Sequence, residues 1–247
     1  MKQKILILIL LSFVSLFVVQ ALLMLLLFVF IDHKPEVNNW GILITNISLL
    51  IIIWFTQKKI KINLKFVFPS IKIFIYTILL AICFVFCYPL VTILNFINNI
   101  GSNVIEFSML DFTLNLNSLI YYFNIVLITP VLEEIYYRKI ILHQLVKKYN
   151  IFFAIIFSSI LFSVFHLDYI QCQISFVFGL LSGYLYVKTK RIEISILLHS
   201  LINLFIIITS NNALQLNGYY FLIPTYITIV LLGYILVKKI IKNVDGK

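Results

Sequence analysis

The sequence predicts an all-α fold, a polytopic membrane helix bundle with about eight transmembrane helices. First, 62% of the 247 residues are hydrophobic and only 11% are charged, whereas a soluble domain has roughly 25% charged residues. Second, the apolar runs are long enough to cross a bilayer. Third, basic residues are concentrated in alternate loops between these runs. The whole chain, residues 1–247, is therefore predicted to form a single integral membrane domain.

Eight apolar segments are predicted to cross the membrane, separated by polar turns that include residues 32–36 and 167–171. The segments cover residues 5–31, 40–55, 71–96, 119–145, 151–166, 174–187, 194–209 and 219–237. The first is longer than the roughly 7 to 15 apolar residues of a signal peptide, so we expect it to be retained as a helix. Trp40 and Trp54 lie near the ends of the second, where indole rings favour the membrane interface.

The basic residues predict the orientation of the bundle. All 19 Lys and Arg residues except Lys34 fall on one side. By the positive-inside rule this side is cytoplasmic, which places both termini of a multi-pass cell-membrane protein in the cytoplasm. The basic loop at residues 58–72 is interpreted as part of this signal, although it could also bind anionic lipid head groups. The net charge of +10 is therefore explained by topology, and we expect no nucleic-acid partner.

Small residues predict one close helix contact. Ser175, Gly179 and Gly183 recur every four residues on the sixth segment, a pattern that favours close helix packing over chemistry. The three cysteines lack the paired spacing of a zinc site, and they are interpreted as free, buried packing residues.

Two adjacent carboxylates and an arginine interrupt the fourth segment, at Glu133, Glu134 and Arg138. A charge at the centre of a bilayer costs roughly 2.5 to 3.5 kcal/mol, so three so close together require pairing, a wet cavity or a function. Glu134 and Arg138 are four residues apart on one helix face, which predicts an ion pair. Glu133 is rotated about 100° away without a partner on its own helix, which makes it a candidate general base. The alternative is a purely structural ion pair beside an unused glutamate.

Two further pairs of residues are spaced by one helical turn. His166 follows Phe162 by four residues and Asn203 follows His199 by four, so each pair lies on one helix face and can point into a shared cavity. Together with Glu133 they supply what amide hydrolysis needs. Glu133 would be the base, His166 would share or relay its proton, and His199 and Asn203 would donate to the developing oxyanion.

Water is the expected nucleophile, because no serine or cysteine is placed to be activated. Glu133, His166 and His199 could alternatively hold Zn²⁺ with an open coordination position, although no His-Glu-x-x-His motif supports such a site. The cofactor is therefore expected to be either zinc or none.

In this order, Glu133-Glu134-x-x-x-Arg138, Phe162-x-x-x-His166 and His199-x-x-x-Asn203 resemble the motifs of the CPBP family. The family, CAAX protease and bacteriocin-processing (also called Abi), consists of intramembrane endopeptidases related to the Rce1-type CAAX prenyl endopeptidases. The resemblance covers residues 117–209, which it marks as the catalytic core. Many members have glycine directly after the motif arginine, whereas this chain has Lys139.

The resemblance implies a protease, commonly labelled a metalloendopeptidase, whose site lies inside the membrane. Residues matching Glu133 and His166 would activate water, those matching His199 and Asn203 would stabilise the oxyanion, and Glu134 and Arg138 would hold the site together. The expected substrate is a membrane-associated or secreted peptide, in bacteriocin self-immunity, peptide processing or cell-surface regulation. The alternative is a non-catalytic scaffold or immunity protein of the same fold. The sequence does not indicate an oligomeric state.

The depth of the motifs in the membrane poses a geometric problem. If the fifth segment begins at Ile151, His166 lies about 22 Å along its helix, at about 1.5 Å per residue, whereas Glu133 falls in the cytoplasmic half of the fourth. Bringing them together requires helix tilt, a break near Pro130, or a fifth helix that starts below the membrane surface.

Overall fold

A computed structural model describes residues 35–60, 66–97, 116–166, 169–211 and 222–245, together with the helical positions 14, 18 and 22. All regular secondary structure in these residues is helical, which confirms the predicted all-α class. The rest of the predicted first segment, residues 5–31, lies outside the described residues, as do residues 61–65, 98–115 and 212–218 of the predicted loops and residues 219–221 of the predicted eighth segment.

Seven helices make up the described part of the chain. They are α1 (Pro35–Ile60), α2 (Ile71–Ile97), α3 (residues 116–146), α4 (Ile151–Ser163), α5 (Tyr169–Thr189), α6 (Ile192–Asn211) and α7 (Leu222–Asp245).

Four helices, α1, α3, α5 and α6, contain stretches long and apolar enough to cross a membrane. These stretches are Gly41–Lys58, Ser118–Val146, Tyr169–Thr189 and Ile192–Thr209. Shorter apolar helical stretches cover Ile71–Cys87 and Ile151–Ser163. The chain is therefore a membrane protein, and the count of eight crossings stays a prediction.

Several predicted boundaries are wrong. Pro35 and Glu36 were expected in a polar turn, but they begin α1. Proline is favoured at the first position of a helix, because an N–H at that position would have no acceptor within the helix. The helix α4 ends at Ser163, and the backbone then turns so that His166 N–H donates to the Ser163 carbonyl at 2.9 Å. The helices α5 and α7 are longer than predicted, so residues 169–171 of an expected loop are helical.

The helix α3 is continuous but irregular around Pro130. Its α-helical centre, Thr129–Glu134, is flanked by π-helical stretches at Asn124–Ile128 and Ile135–Leu142. In π-helical geometry each N–H donates to the carbonyl five residues earlier, as Thr129 does to Asn124. Pro130 has no N–H to donate to the next carbonyl, that of Ile125. The amide of Asn203 on α6 donates to this carbonyl instead, at 3.0 Å.

A polar contact joins α1 to the same part of α3. Asn46 on α1 is buried, and its Nδ2 atom lies 3.3 Å from Asn124 Oδ1 and 3.1 Å from Thr129 Oγ1. Thr129 Oγ1 also lies 3.2 Å from Asn46 Oδ1. These hydrogen bonds connect α1 to both ends of the first π-helical stretch. They also give the side-chain amides hydrogen-bond partners that lipid hydrocarbon could not provide.

The helices α4 and α5 pack closely through the predicted small-residue face. A Cβ atom added to Gly179 would lie 2.9 Å from Ser159 Cβ, and one added to Gly183 would lie 3.3 Å from Ile155 Cγ2. The prediction of close packing is confirmed. The three cysteines are free, as predicted, but they are only partly buried.

The core lies where α3, α4, α5 and α6 meet, and apolar side chains also cover the outside of the bundle. The core includes Tyr136, Ile140, Phe162, Leu185 and Leu198, all nearly inaccessible. Outward-facing residues of α7 such as Val230 and Leu231 are more than half exposed. Exposed aliphatic side chains along a whole helix are typical of a surface that faces lipid.

Candidate active site

Glu134 is at the centre of a buried polar cluster that joins three helices. Its Oε2 atom accepts hydrogen bonds from Arg138 Nε at 3.0 Å and from Ser182 Oγ at 2.7 Å. Its Oε1 atom lies 3.2 Å from His199 Nδ1. The side chains of Glu134 and Arg138 have no exposed surface. The ion pair predicted from the four-residue spacing is present, and groups from α5 and α6 complete it.

His199 lies between the two glutamates. Its Nδ1 atom faces Glu134, and its Nε2 atom lies 3.8 Å from Glu133 Oε2. Glu134 is an acceptor in its pair with Arg138. The His199 Nδ1 atom that faces this carboxylate is therefore the protonated nitrogen, and it donates to Glu134. The neutral ring then has an unprotonated Nε2, which donates only when the ring is charged. The ring can therefore exchange a proton on the side where Glu133 lies.

Aromatic rings enclose this cluster. The guanidinium carbon of Arg138 lies 5.2 Å from the centre of the Phe162 ring, which is within cation–π range. The two terminal nitrogens of Arg138 are buried without a hydrogen-bond partner among the described residues. Phe162 and Phe178 both pack against His199, with ring centres 5.8 and 4.6 Å away. Rings on these sides exclude water and strengthen the electrostatic interactions inside.

His166 is held beside Phe162 at the end of α4. Its Nδ1 atom lies 3.3 Å from the Phe162 carbonyl, and the two rings are 5.1 Å apart. Phe162 thus contacts both His166 and His199. The fifth segment was predicted to extend to His166, whereas α4 ends at Ser163 and the turn that follows positions His166.

Asn203 lies one helical turn beyond His199 on α6. One hydrogen of its amide group is directed to the Ile125 carbonyl, as described above. The amide retains a second hydrogen for another acceptor. The residue predicted as an oxyanion donor therefore also supports the backbone of α3.

The predicted zinc ligands do not form a metal site in this arrangement. No group of three or more His, Cys, Asp or Glu side chains is close enough to hold a metal ion within the described residues. Glu133, His166 and His199 therefore do not fit a three-ligand zinc site here, and we derive no step through a metal.

Two residues of the site were missed by the sequence analysis. Ser182 donates to Glu134, and its Oγ atom also lies 3.2 Å from Arg138 Nε. Phe178 packs on His199. A signal for Ser182 was present, because it lies three residues after Gly179 on the small-residue face of α5, but that face was interpreted as packing alone.

The fold and the site define a class, an all-helical membrane protein with a buried Glu-Arg-His cluster between its helices. Residues 115–205 match the family model described as type II CAAX prenyl endopeptidase Rce1-like. This range contains Glu133, His166, His199 and Asn203. The predicted resemblance to the CPBP and Rce1-type proteases is confirmed.

Two bacterial proteins are similar to part of the chain. The putative membrane peptidase YdiL of Bacillus subtilis (strain 168) is 39% identical over 82 residues, which are 33% of this chain and 34% of the relative. The membrane-embedded CAAX protease MroQ of Staphylococcus aureus (strain USA300) is 35% identical over 95 residues, 36% of this chain and 38% of the relative. The chain thus covers little more than a third of the length of each relative. No solved structure matches it significantly.

Proposed function

We propose that the chain is a CPBP-type intramembrane endopeptidase that hydrolyses a peptide bond with water activated by Glu133. The observation that carries the proposal is the different environment of the two glutamates. Glu134 is fully buried and hydrogen-bonded to three side chains, whereas the Glu133 side chain is 17% exposed and faces His199 Nε2 at 3.8 Å. At this distance the two groups do not hydrogen-bond to each other, so both are available to a third group.

The proposed reaction is a single hydrolysis. Glu133, with His166 sharing its proton, removes a proton from water, and the water oxygen attacks the scissile carbonyl carbon. The oxyanion that forms accepts hydrogen bonds from the second amide hydrogen of Asn203 and from His199 in its charged form. The C–N bond then breaks, and the proton taken from water is returned to the leaving amine.

We propose a glutamate-dependent reaction without a metal, because Glu133, His166 and His199 are not grouped as ligands in the described part of the chain. Zinc is the alternative cofactor. Elemental analysis of the purified protein in detergent, combined with a peptidase assay in 1,10-phenanthroline, separates the two. Stoichiometric zinc and loss of activity with the chelator would contradict the metal-free proposal.

The proposed substrate is a small membrane-associated or secreted peptide. The name of MroQ, a membrane-embedded CAAX protease, and the location of the site within helices long enough to span a bilayer both favour a substrate that reaches the site from the membrane. Bacteriocin self-immunity, peptide processing and cell-surface regulation are the proposed roles. We also propose that both termini are cytoplasmic, on the basis of the basic residues.

Substrate trapping tests the proposal. Cells producing the wild-type chain or Glu133→Gln are compared by proteomics of co-purified and released peptides. We expect intact substrate to accumulate with Glu133→Gln and its fragments to appear only with the wild type. A Glu133→Gln chain that supports the same cellular function, without any change in peptide fragments, would favour the non-catalytic scaffold.

A further inference from the structure

Two helix faces carrying cationic side chains meet beside the ends of α3 and α5. On α3, Lys139, His143 and Lys147 follow one another at intervals of four residues, about one helical turn. Directly after α5, Lys190 follows Tyr186 by four residues, and its N–H donates to the Tyr186 carbonyl at 2.8 Å. The contact between Tyr186 Oη and His143 Nδ1, at 3.5 Å, joins the two faces. Lys139, Lys147 and Lys190 have His143 as a common neighbour.

No carboxylate neutralises these lysines within the part of the chain that the structure describes. The acidic side chains described there are Glu133, Glu134 and Glu193. The first two belong to the candidate active site. Glu193 is paired with Arg191, whose Nε atom lies 2.6 Å from it. Among the described side chains, the lysine cluster therefore has no acidic neighbour that would compete with an external anion.

The cluster lies where the two membrane spans end. The apolar stretch of α3 ends at Val146 and that of α5 at Thr189, so Lys147 and Lys190 come directly after them. Lys139 and His143 lie up to two turns deeper, from where a lysine side chain reaches towards the polar boundary. Lys139 and Lys147 are thus separated by about 12 Å of depth, at about 1.5 Å per residue, from the surface into the bilayer.

We propose that Lys139, His143, Lys147, Tyr186 and Lys190 form a binding site for the phosphate group of an anionic membrane lipid. Basic groups between helices at a membrane boundary are suited to such head groups. A lipid phosphate also matches the depth of the cluster better than a soluble anion, which would meet only the outer lysines.

The test is lipid binding in nanodiscs of phosphatidylcholine with and without 30 mol% phosphatidylglycerol. The variant Lys139→Gln/Lys147→Gln/Lys190→Asn removes the charge, and asparagine suits position 190 because its φ is 57°, in the left-handed region. The control Lys72→Gln/Lys238→Gln/Lys242→Gln removes the same charge from exposed positions elsewhere. Retained phosphatidylglycerol is counted by native mass spectrometry, and thermal unfolding is measured in both nanodiscs.

We expect the site variant to bind phosphatidylglycerol about 100-fold more weakly than the wild type, because its three lysines would act together on one lipid phosphate, at roughly fivefold each. The control variant and the charge-conserving Lys139→Arg/Lys147→Arg should bind like the wild type. The stabilisation by phosphatidylglycerol should be lost only in the site variant. Equal loss in the site and control variants would overturn the proposal. So would displacement of the lipid by millimolar inorganic phosphate, which would indicate a site for a free anion.

Discussion

Glu133 and Glu134 are adjacent in sequence, but their side chains have different surroundings. Successive helical residues point about 100° apart, so one carboxylate faces Arg138 and Ser182 while the other faces the edge of the cluster. His199 contacts the first through Nδ1 and lies near the second through Nε2. The ring therefore connects a structural glutamate to the proposed base.

Substitutions of Arg138 and Glu133 should have different effects on stability and on activity. Arg138→Ala leaves Glu134 buried without its partner, a change worth about 3 to 5 kcal/mol in buried pairs, so folded protein and activity should both fall. Glu133→Gln is nearly isosteric, and it should keep the unfolding temperature while stopping hydrolysis. Thermal unfolding in detergent beside a peptidase assay measures both. Equal destabilisation by the two substitutions would mean that the roles of the glutamates are reversed.

Ser182 should act as a positioning residue for Glu134. Ser182→Ala removes a hydrogen bond to a buried carboxylate, which costs about 1 to 3 kcal/mol, and it frees Glu134 to turn away from His199. We expect lower stability and a lower kcat with little change in KM. The matched control is Ser175→Ala on the same helix face, because Ser175 is outside the glutamate cluster. A similar loss of kcat in the control would contradict this assignment.

At the scale of the helices, α3 and α6 are joined at a point where α3 lacks one of its own backbone hydrogen bonds. Pro130 leaves the Ile125 carbonyl without a donor, and Asn203 supplies one. The spacing of Glu134 and Arg138 was sufficient to predict their ion pair, because helix geometry fixes that distance. The contact of Asn203 was not predictable, because it depends on π-helical turns and on how far α6 is shifted along α3.

A double-mutant cycle tests the link between Pro130 and Asn203. Asn203→Ala in the wild-type background leaves a buried carbonyl unsatisfied, at a cost of about 1 to 3 kcal/mol. In a Pro130→Ala background the new N–H can bond to Ile125, so the same substitution should cost less. Unfolding free energies in detergent give the coupling directly. Additive effects of the two substitutions would show that they act independently.

Close packing of α4 on α5 should make Gly179 sensitive to a single added methyl group. Gly179→Ala places a Cβ atom 2.9 Å from Ser159 Cβ, so we expect destabilisation by about 1 to 3 kcal/mol. The matched control is Gly233→Ala on α7, whose Cβ would meet Leu80 Cδ1 at an ordinary 3.8 Å. This substitution should be neutral or stabilising, because alanine is the better helix former. Unfolding temperatures that fall equally for both would contradict the packing argument.

For the whole molecule, composition and apolar runs were sufficient to predict the helical membrane fold, because the bilayer admits few alternatives. The number of spans is harder to predict. The helix α4 ends at Ser163, shorter than its apolar run, and α7 continues past its apolar run through Lys238 and Lys242 to Asp245. Hydropathy alone does not report where the backbone turns, because the turn after Ser163 consists of apolar residues too.

The predicted topology can be tested with single cysteines in the loops opposite the basic residues. In a chain whose own cysteines are replaced, Asn103→Cys and Asn212→Cys should react with a membrane-impermeant maleimide added outside intact cells. Lys148→Cys should react only after the cells are opened. Labelling in the reverse pattern would invert the orientation of both termini.

The bond between Asn203 and the Ile125 carbonyl also limits how the two helices can move. A shift of α6 along α3 by even one residue would leave that carbonyl without its donor, and an unpaired backbone group costs several kcal/mol where water is excluded. This hydrogen bond therefore opposes sliding of α6 along α3 near the proposed catalytic residues. If the site admits a peptide, as proposed, we expect it to open by movement of other helices.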